Sequence, residues 1–567
     1  MKTHWSAAKI VTLALIVGVL ALAGLGCSKS NTGSSAGGAA GLIDADIVKL
    51  VPADTVGFLV WDTASDAYDR YRKSAWAGSG DNTFVGMLEK KMGSNDTSAL
   101  NALLKAMRTA GLIPSTKDEK PQVERGVLFA SMSAEKKKAG LGCYAFTNAK
   151  DLGAKISALE SVLKSENIDV KRGKVAGRDG LIATLPVPVD DSFKLNTLYI
   201  VGADGKLGAA TDEAAIEGLF AAPAAGAPAS GLLVSPRLQR IRAAAQADNS
   251  QFGVGFLDLT ALFKIAPQLA PSGPDTPKVD QIPVESVYFS QSMDESPHSV
   301  LLVATAPKSE EQQRWFGGLE GKGLGDSAAG APGGTAALIG LDGRLLASIK
   351  SAALSEISPQ EQAAFKDQLA LLDQIQSFSL ALVNASPSSP FPGLALSFEA
   401  SNPTALFDTV KQQLGGALAS SGLPLGTWSD KEIDGVKISF IQSPMVGLGV
   451  FMGVAKNRLL ITSSEEGATD LIGAVKDNKK SLAAQVPAKS KELLSENKPI
   501  LAAYGNFDKI AATIESVQGN LAAFTGGASG LDQEAINNMR KMGSFALGMN
   551  FQQGIFKIQS SYDKLKE

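Results

Sequence analysis

Few residues of this sequence could support acid–base or metal chemistry. Its 567 residues include two histidines, His4 and His298, and two cysteines, Cys27 and Cys143. Imidazole and thiolate groups bind zinc and serve as bases and nucleophiles in many enzymes. Their scarcity excludes a disulfide scaffold and a Cys/His zinc site, and it predicts neither a metal nor a cofactor. His298 follows the turn residues Asp294–Pro297 without any nucleophile motif attached, so we do not expect a catalytic base there.

Three short patterns match catalytic or cofactor motifs by spacing alone. Gly33–Gly37 has the G-x-S-x-G spacing of a nucleophile elbow, but that motif needs a strand before it and a helix after it. Ser133 and Lys136 have the S-x-x-K spacing of penicillin-binding enzymes, but they lie in a charged hairpin turn. Gly447–Gly453 has the glycine spacing of a dinucleotide loop, yet its apolar residues predict a strand. A non-enzyme is therefore favoured, and a Ser/Lys hydrolase stays an alternative.

Carboxylates and aromatic residues gather after the first apolar strand. Asp62, Asp66 and Asp69 would share one face of a helix, where three carboxylates could hold a hard cation. The alternative is that Asp62 caps a helix and the other two stabilise its positive end. The aromatic residues nearby could line a ligand groove, although packing is the favoured role: Trp61, Tyr68, Tyr71 and Trp76.

The first 26 residues have the layout of a secretory signal. Lys2 and Lys9 precede an uncharged run from Ile10 to Gly26, which is followed by Cys27. As a helix this run would span about 25 Å, which is marginal for crossing a membrane. We therefore expect residues 1–26 to be removed.

The segment Leu22–Cys27 resembles the lipobox of bacterial lipoproteins, with Gly24 at the position where the family usually has Leu. The resemblance implies lipidation of Cys27 and anchoring in a membrane of the cell envelope. Ser28 after the modified cysteine implies the outer membrane if the host is diderm. Residues 27–41 are small and polar, which predicts a flexible tether.

Charge excludes one class of partner. Removing Lys2 and Lys9 leaves 52 basic residues against 57 acidic ones, a net charge of −5. A mildly acidic body lacks the positive surface that binds nucleic acid, so no nucleic-acid partner is expected. Cys143 lies in the apolar run Gly142–Phe146, which predicts a strand with a buried thiol.

Internal similarity divides the remaining chain into two halves. Residues 52–62 align with 332–342, residues 198–213 with 450–465, and residues 255–258 with 505–508. The order is the same in both halves, and the separations are 280, 252 and 250 positions. This pattern predicts a tandem duplication.

Apolar runs separated by polar turns predict hairpins, and helical periodicity lies between them. Such grouping predicts an α+β fold in which antiparallel sheets are covered by helices. The predicted hairpins are 127–132 with 142–147, 287–293 with 299–305, 378–384 with 394–399, and 545–550 with 555–560. The predicted helices are 98–110, 151–163, 359–374 and 404–414.

The opening Pro52–Thr55 and its buried strand, with the later strand, turn and strand of 198–213, resemble an exported bacterial family catalogued as a domain of unknown function. The resemblance implies a fold and an envelope location, but no catalytic residues. The predicted organisation has five parts: leader 1–26, tether 27–41, first α+β module 42–318, linker 319–331 and second α+β module 332–567. Two further breaks, 221–231 and 267–283, are expected to be loops or subdomain boundaries.

The sequence leaves three functions open. The favoured one is a lipid-anchored envelope protein that acts as a non-enzymatic binding or structural module, with another envelope protein as one candidate partner. The second is a carrier or chaperone that shelters an apolar ligand between sheet and helices. The third is the Ser/Lys hydrolase.

Overall fold

In the structure, a computed structural model, the described residues form two compact units that are divided between Lys308 and Ser309. The leader, Cys27 and the tether lie outside the residues that it describes. Those residues are 42, 46–52, 54–73, 123–133, 138–147, 151–184, 197–220, 235–245, 250–262, 264, 283–294, 296–321, 323–356, 358–364, 370–383, 392–420, 427–442, 449–525, 533–540 and 542–563. The two units are described separately below.

The first unit contains an antiparallel sheet in the order β4-β5-β6-β7-β3-β2-β1-β8-β9-β10. Alternating apolar residues place one side of each strand in a core, as in β1 where Val56, Phe58 and Val60 are buried. The strands are β1 Thr55–Asp62, β2 Val123–Ser133, β3 Lys138–Thr147, β4 Asp169–Val175, β5 Arg178–Thr184, β6 Thr197–Ala203, β7 Lys206–Ala210, β8 Gln251–Asp258, β9 Val284–Met293 and β10 Pro297–Thr305.

Helices follow the strands of the first unit and pack on its sheet. The α2 helix begins after Asp151, whose carboxylate accepts a hydrogen bond from the Ala154 N–H (2.8 Å), and it buries Ile156, Leu159 and Leu163 against β4–β6. The helices are α1 Asp66–Lys73, α2 Leu152–Ser165, α3 Glu213–Phe220 and α4 Pro236–Ala245, and Val48–Leu50 forms a 3₁₀ turn.

The second unit contains an antiparallel sheet in the order β14-β15-β16-β17-β13-β12-β11-β18-β19-β20. Its strands are β11 Thr335–Asp342, β12 Ile375–Val383, β13 Gly393–Ala400, β14 Ser429–Ile433, β15 Val436–Gln442, β16 Gly449–Ala455, β17 Arg458–Thr462, β18 Leu501–Asn506, β19 Ser544–Gln552 and β20 Ile555–Asp563. The described parts of the chain therefore form a mixed α+β protein with antiparallel sheets.

Helices lie on both faces of the second sheet. They are α5 Glu310–Leu319, α6 Gly343–Glu356, α7 Pro359–Ala364, α8 Pro403–Ser420, α9 Glu465–Lys476, α10 Leu482–Gln485, α11 Ala488–Lys491, α12 Phe507–Thr525 and α13 Gln533–Arg540, with a 3₁₀ turn at Asn478–Lys480 and a π-helical turn at Glu492–Glu496. We call the face that carries Leu338 the inner face; its core includes α9 and residues Leu493 and Leu494 of the π-helical turn. We call the opposite face, which carries Ile339, the outer face.

The four predicted hairpins are present as β2–β3, β9–β10, β12–β13 and β19–β20. Of the predicted helices, 151–163 corresponds to α2 and 404–414 to α8, while 359–374 corresponds to α7 and to helical residues 370–372. The predicted helix 98–110 lies outside the described residues, and so does nearly all of the predicted breaks 221–231 and 267–283.

The predicted linker at 319–331 differs from the structure. The division between units falls after Lys308, and residues 323–333 lie mostly buried in the second unit. Ala328 and Ala331 are fully buried in its core, and the carbonyl of Ala331 accepts a hydrogen bond from the Leu482 N–H (2.8 Å). Glycine and alanine are abundant here because the segment packs closely against the sheet, as described below.

Candidate functional site

The three aspartates that could have held a cation do not share a helix face. Asp62 ends β1, where Oδ2 accepts hydrogen bonds from Arg125 Nη2 (2.6 Å) and Nε (3.1 Å). Asp66 and Asp69 lie in α1, which Ser65 caps by accepting a hydrogen bond from the Tyr68 N–H (3.2 Å). The prediction that Asp62 caps this helix is therefore wrong. Among the described residues, no group of three His, Cys, Asp or Glu side chains could hold a metal ion.

The aromatic residues near α1 pack rather than line a groove. Tyr68 is buried, and the Tyr71 ring stacks on Phe252 with centroids 4.7 Å apart. Trp61 lies so close to Gly126 that a side chain there would overlap the indole ring. Trp76 lies outside the described residues.

Cys143 and His298 occupy strands of the first unit. Cys143 pairs with Leu128 across β3 and β2, and burial raises the pKa of its thiol to about 12. The thiol is therefore protonated and unreactive at neutral pH. His298 lies near the start of β10, with Nδ1 3.3 Å from the Ser296 carbonyl oxygen and 3.7 Å from an Asp294 carboxylate oxygen. These contacts are local to its turn.

The nucleophile and cofactor motifs do not gain the structure that they need. Ser133 ends β2, and Lys136 lies outside the described residues, as does Gly33–Gly37. Gly449–Ala455 forms strand β16, as the apolar residues predicted, so this glycine pattern does not open a helix.

A different serine and lysine do meet in the second unit. Lys411 Nζ donates to Ser439 Oγ (2.8 Å), and Ser439 Oγ donates to Asp430 Oδ1 (2.6 Å). Hydrogen bonds from Lys437 and Ser439 lower the pKa of Asp430 to about 2, so this carboxylate is charged. The carboxylate lies 3.8 Å from Lys411 Nζ, which also lies 5.4 Å from the centroid of the Trp428 ring. In this arrangement the lysine donates to the serine oxygen and the serine proton points to Asp430, so the lysine is not placed to take that proton.

A strap, residues 323–334, crosses the inner face of the second sheet. It approaches so closely that a Cβ at Gly330 would lie 2.5 Å from Ser397 Oγ, and one at Gly325 would lie 2.7 Å from Glu399 Oε2. Glycine is needed at these positions because the backbone touches side chains of the sheet. This requirement explains a composition that is also typical of a linker.

A buried ion pair holds the middle of the strap. Arg458 Nη2 donates to Glu399 Oε2 (2.6 Å) and to the Asp326 carbonyl oxygen (2.6 Å), and Ser377 Oγ donates to Glu399 Oε2 (3.0 Å). The side chains of Arg458 and Glu399 are 7% and 15% exposed. Burial lowers the pKa of Arg458, while the negative charges of Glu399 and Asp326 oppose this shift. Each charge thus depends on its partner.

The start of the strap is held at the end of β11. Asp342 accepts hydrogen bonds from the backbone N–H groups of Leu324 and Gly325, the second at 3.4 Å, and its other oxygen binds Arg344 Nε (3.1 Å). Arg344 also donates to the carbonyl oxygens of Glu320 (2.5 Å) and Gly321 (3.1 Å). These contacts make the strap and sheet one packed body.

The outer face of the same sheet is apolar across its five central strands. Residues paired directly across antiparallel strands lie on one face, so the register defines three rows. The first is Leu396, Leu380, Ile339, Ala503 and Leu547; the second is Leu394, Leu382, Ala337, Gly505 and Phe545; the third is Phe398, Phe378, Leu341, Leu501 and Met549. None of the fifteen side chains is polar.

The third row is covered, and so is one end of the second row, where Gly505 is buried and Phe545 packs against Phe507 of α12 with ring centroids 5.6 Å apart. Phe378 and Phe398 pack with Leu346 of α6 and with α8, and Leu341 packs in a cluster with α5. In contrast, Ile339 is 52% exposed and Leu394 is 50% exposed. We call the ten residues of the first and second rows the apolar strip. Contiguous exposed apolar surface on a folded protein often has a binding function.

The sequence predicted β12, β13 and β19 as hairpin strands from their apolar runs, and β11 from its alignment with the opening strand of the first half, but it did not predict the strip. Which face lacks a cover depends on where α6 and α8 pack, and no local pattern encodes that placement. The sequence of β12 contains one signal for the strip, because its three outer-face residues Phe378, Leu380 and Leu382 are all large and apolar.

Comparisons with known proteins give little guidance. No protein-family model matches this chain, and no curated protein matches it. A search of solved structures finds three crystal forms of TP0453. The match to form IV has 11% sequence identity and a TM-score of 0.22, and it covers 40% of this chain and 76% of that chain. The match to form I has 12% identity and a TM-score of 0.22, and it covers 43% of this chain and 81% of that chain. No helix in the described part of the chain is long and apolar enough to cross a membrane.

Proposed function

We propose that this protein is a lipid-anchored cell-envelope protein whose folded body is a non-enzymatic binding module. The observation that carries the binding role is the apolar strip, in which Ile339 and Leu394 are about half exposed. The strap and its ion pair pack on the opposite face of the same sheet and stabilise it. The leader and Cys27 support the anchor, and Ser28 supports the outer membrane in a diderm host.

We also propose that the two units are copies of one ancestral module. Their strand orders are the same, from β4-β5 to β9-β10 in one and from β14-β15 to β19-β20 in the other. The Thr55 N–H donates to the Pro52 carbonyl (3.1 Å), and the Thr335 N–H donates to the Pro332 carbonyl (3.1 Å). The same turn therefore opens both sheets.

Irregularities of pairing support the same origin. The register shifts between Thr55 and Gly57 in one unit and between Thr335 and Ala337 in the other, again 280 positions apart. Tyr199 pairs with Ala210, and Phe451 with Thr462, as a separation of 252 requires.

The third block aligns differently in the structure. Leu257 pairs with Gly57, and Gly505 pairs with Ala337, so the register gives a separation of 248 where the sequence alignment gives 250. A profile of chains homologous to the first unit should align with the second at separations of 280, 252 and 248. Alignment at unrelated positions would contradict the duplication.

Metabolic labelling with radioactive palmitate tests the anchor. We expect label in the wild-type chain and none in Cys27→Ser, with both chains produced in equal amounts. Equal labelling of the two chains would refute lipidation at Cys27. Cys143→Ser is the matched control, because it removes the other cysteine and should leave the label unchanged.

A carrier for an apolar ligand is the second candidate, and the apolar strip favours it over a purely structural role. A carrier should retain its ligand through purification. Native mass spectrometry of the chain from envelope extracts should then show an added mass. A bare chain in every preparation would count against a carrier, while leaving the anchor untouched.

A further inference from the structure

We propose that the apolar strip binds a single acyl chain, lying across strands β13, β12, β11, β18 and β19. The inference rests on the proposed binding function and names its ligand.

The strip offers an occupant nothing but apolar contact. Its ten side chains carry no hydrogen-bond donor or acceptor. The five strands are each paired on both sides, β13 with β12 and β17, and β19 with β18 and β20. Their backbone groups are therefore used within the sheet, and an added peptide strand would find no partner here. A peptide or polar ligand would lose hydrogen bonds to water without replacement.

The size of the strip disfavours a protein partner or a second copy of this chain. Five strands at about 4.8 Å spacing span about 24 Å, and two rows cover about 14 Å along the strands, for an area of about 300 Å². A stable protein interface buries about 800 Å² on each partner. A lipid acyl chain crosses half of a hydrocarbon core that is roughly 30 Å thick, so it fits along the row from Leu396 to Leu547.

Helices α5, α6 and α8 bound the strip on two sides, and the start of α12 packs on one end of its second row through Phe507 and Phe545. The α8 helix packs on Phe398 and Ile461 through Phe407, Val410 and Leu414, beyond the β13 end of the strip. The α6 helix, through Leu346, and α5, through Phe316, cover the third row alongside it. A chain in the strip would therefore have apolar walls as well as an apolar floor.

The test measures binding of cis-parinaric acid, a fluorescent long-chain fatty acid, to the full chain carrying Cys27→Ser, so that no attached lipid competes. Ile339→Glu places a carboxylate at the centre of the first row and should weaken binding at least tenfold. Leu324→Glu is the matched control, because Leu324 is 55% exposed but lies on the strap, and it should bind like the parent. Equal affinities of the three proteins would overturn the proposal.

Two additional measurements keep the result interpretable. Ile339→Trp keeps the site apolar and fills it, so it should also weaken binding at least tenfold without requiring a charge in the sheet. The methyl ester of the probe should bind within threefold of the acid, since no side chain of the strip is charged. A preference for the acid above tenfold would overturn binding through the acyl chain alone.

Sedimentation velocity tests whether the strip binds a second copy of this chain. A dimer of the parent protein that is absent in Ile339→Glu would assign the strip to a second copy instead. Failure of palmitate labelling would refute the anchor without affecting these results.

Discussion

Replacing Arg458 by methionine should be among the most damaging single changes in the second unit. Methionine fills a similar volume but leaves Glu399 buried without its cation and the Asp326 carbonyl without its donor. Removing one partner of a buried ion pair costs about 3–5 kcal/mol, because the remaining charge keeps its desolvation penalty. The low exposure of both side chains, 7% and 15%, places this pair at the buried end of the range.

The loss should be local to the second unit. We expect hydrogen exchange in peptides that cover the strap to show an opening free energy lowered by about 3–5 kcal/mol, with first-unit peptides unchanged. Arg172→Met is the control, since Arg172 pairs with Glu160 on the surface of the first unit with 61% exposure. A surface pair contributes about 0–1 kcal/mol.

A double substitution separates the charge effect from simple loss of packing. Glu399→Gln in the Arg458→Met background removes the orphaned charge; its amide oxygen can still accept from Asn457, and its amide NH2 can donate to the Ser377 hydroxyl. It should therefore recover part of the lost stability. The reasoning fails if Arg458→Met costs less than about 1 kcal/mol, or if adding Glu399→Gln makes the loss larger.

Three further substitutions test other parts of the structure. Gly330→Ala should destabilise the second unit by about 1–3 kcal/mol, because the added methyl group would overlap Ser397 and Arg458. Gly416→Ala should stabilise the unit by about 0.5–1 kcal/mol, because Gly416 lies in α8 with open space around it. Denaturant unfolding measures both changes. Folding raises the pKa of the Cys143 thiol from 9 to about 12, so the unfolded chain loses this proton at a lower pH than the folded chain does. The free energy of unfolding should therefore fall as the pH rises from 9 toward 12. Cys143→Ala should remove this contribution to the pH dependence of the melting temperature. Ser65→Ala removes the cap of α1 and should lower the free energy of unfolding by about 1 kcal/mol. Ser157→Ala, on the exposed face of α2, is the control and should have little effect. Equal thermal stability of the two variants would contradict the capping role of Ser65.

The sequence predicted strands and hairpins well because their signals are local. The apolar run Val127–Met132 and the polar turns between strands are each recognised within a few residues. The cap of α1 was placed wrongly because Asp62 and Ser65 are both good caps by type, and the choice depends on Arg125, which lies 63 positions from Asp62. The apolar strip and the Arg458–Glu399 pair could not be predicted because each joins segments that are distant in the chain.

The strap changes where the second unit must be cut if it is to be studied alone. A fragment that begins at residue 332, where the repeat becomes visible in the sequence, would lack Asp326, Ala328 and Ala331. It would expose the inner face around Ser397 and leave Arg458 with Glu399 but without the backbone carbonyl that it also binds. A fragment that begins at Ser309 keeps these contacts and the α5 helix. The boundary that the repeat suggests and the boundary that the contacts require thus differ by more than twenty residues. Only the fragment that begins at Ser309 should fold.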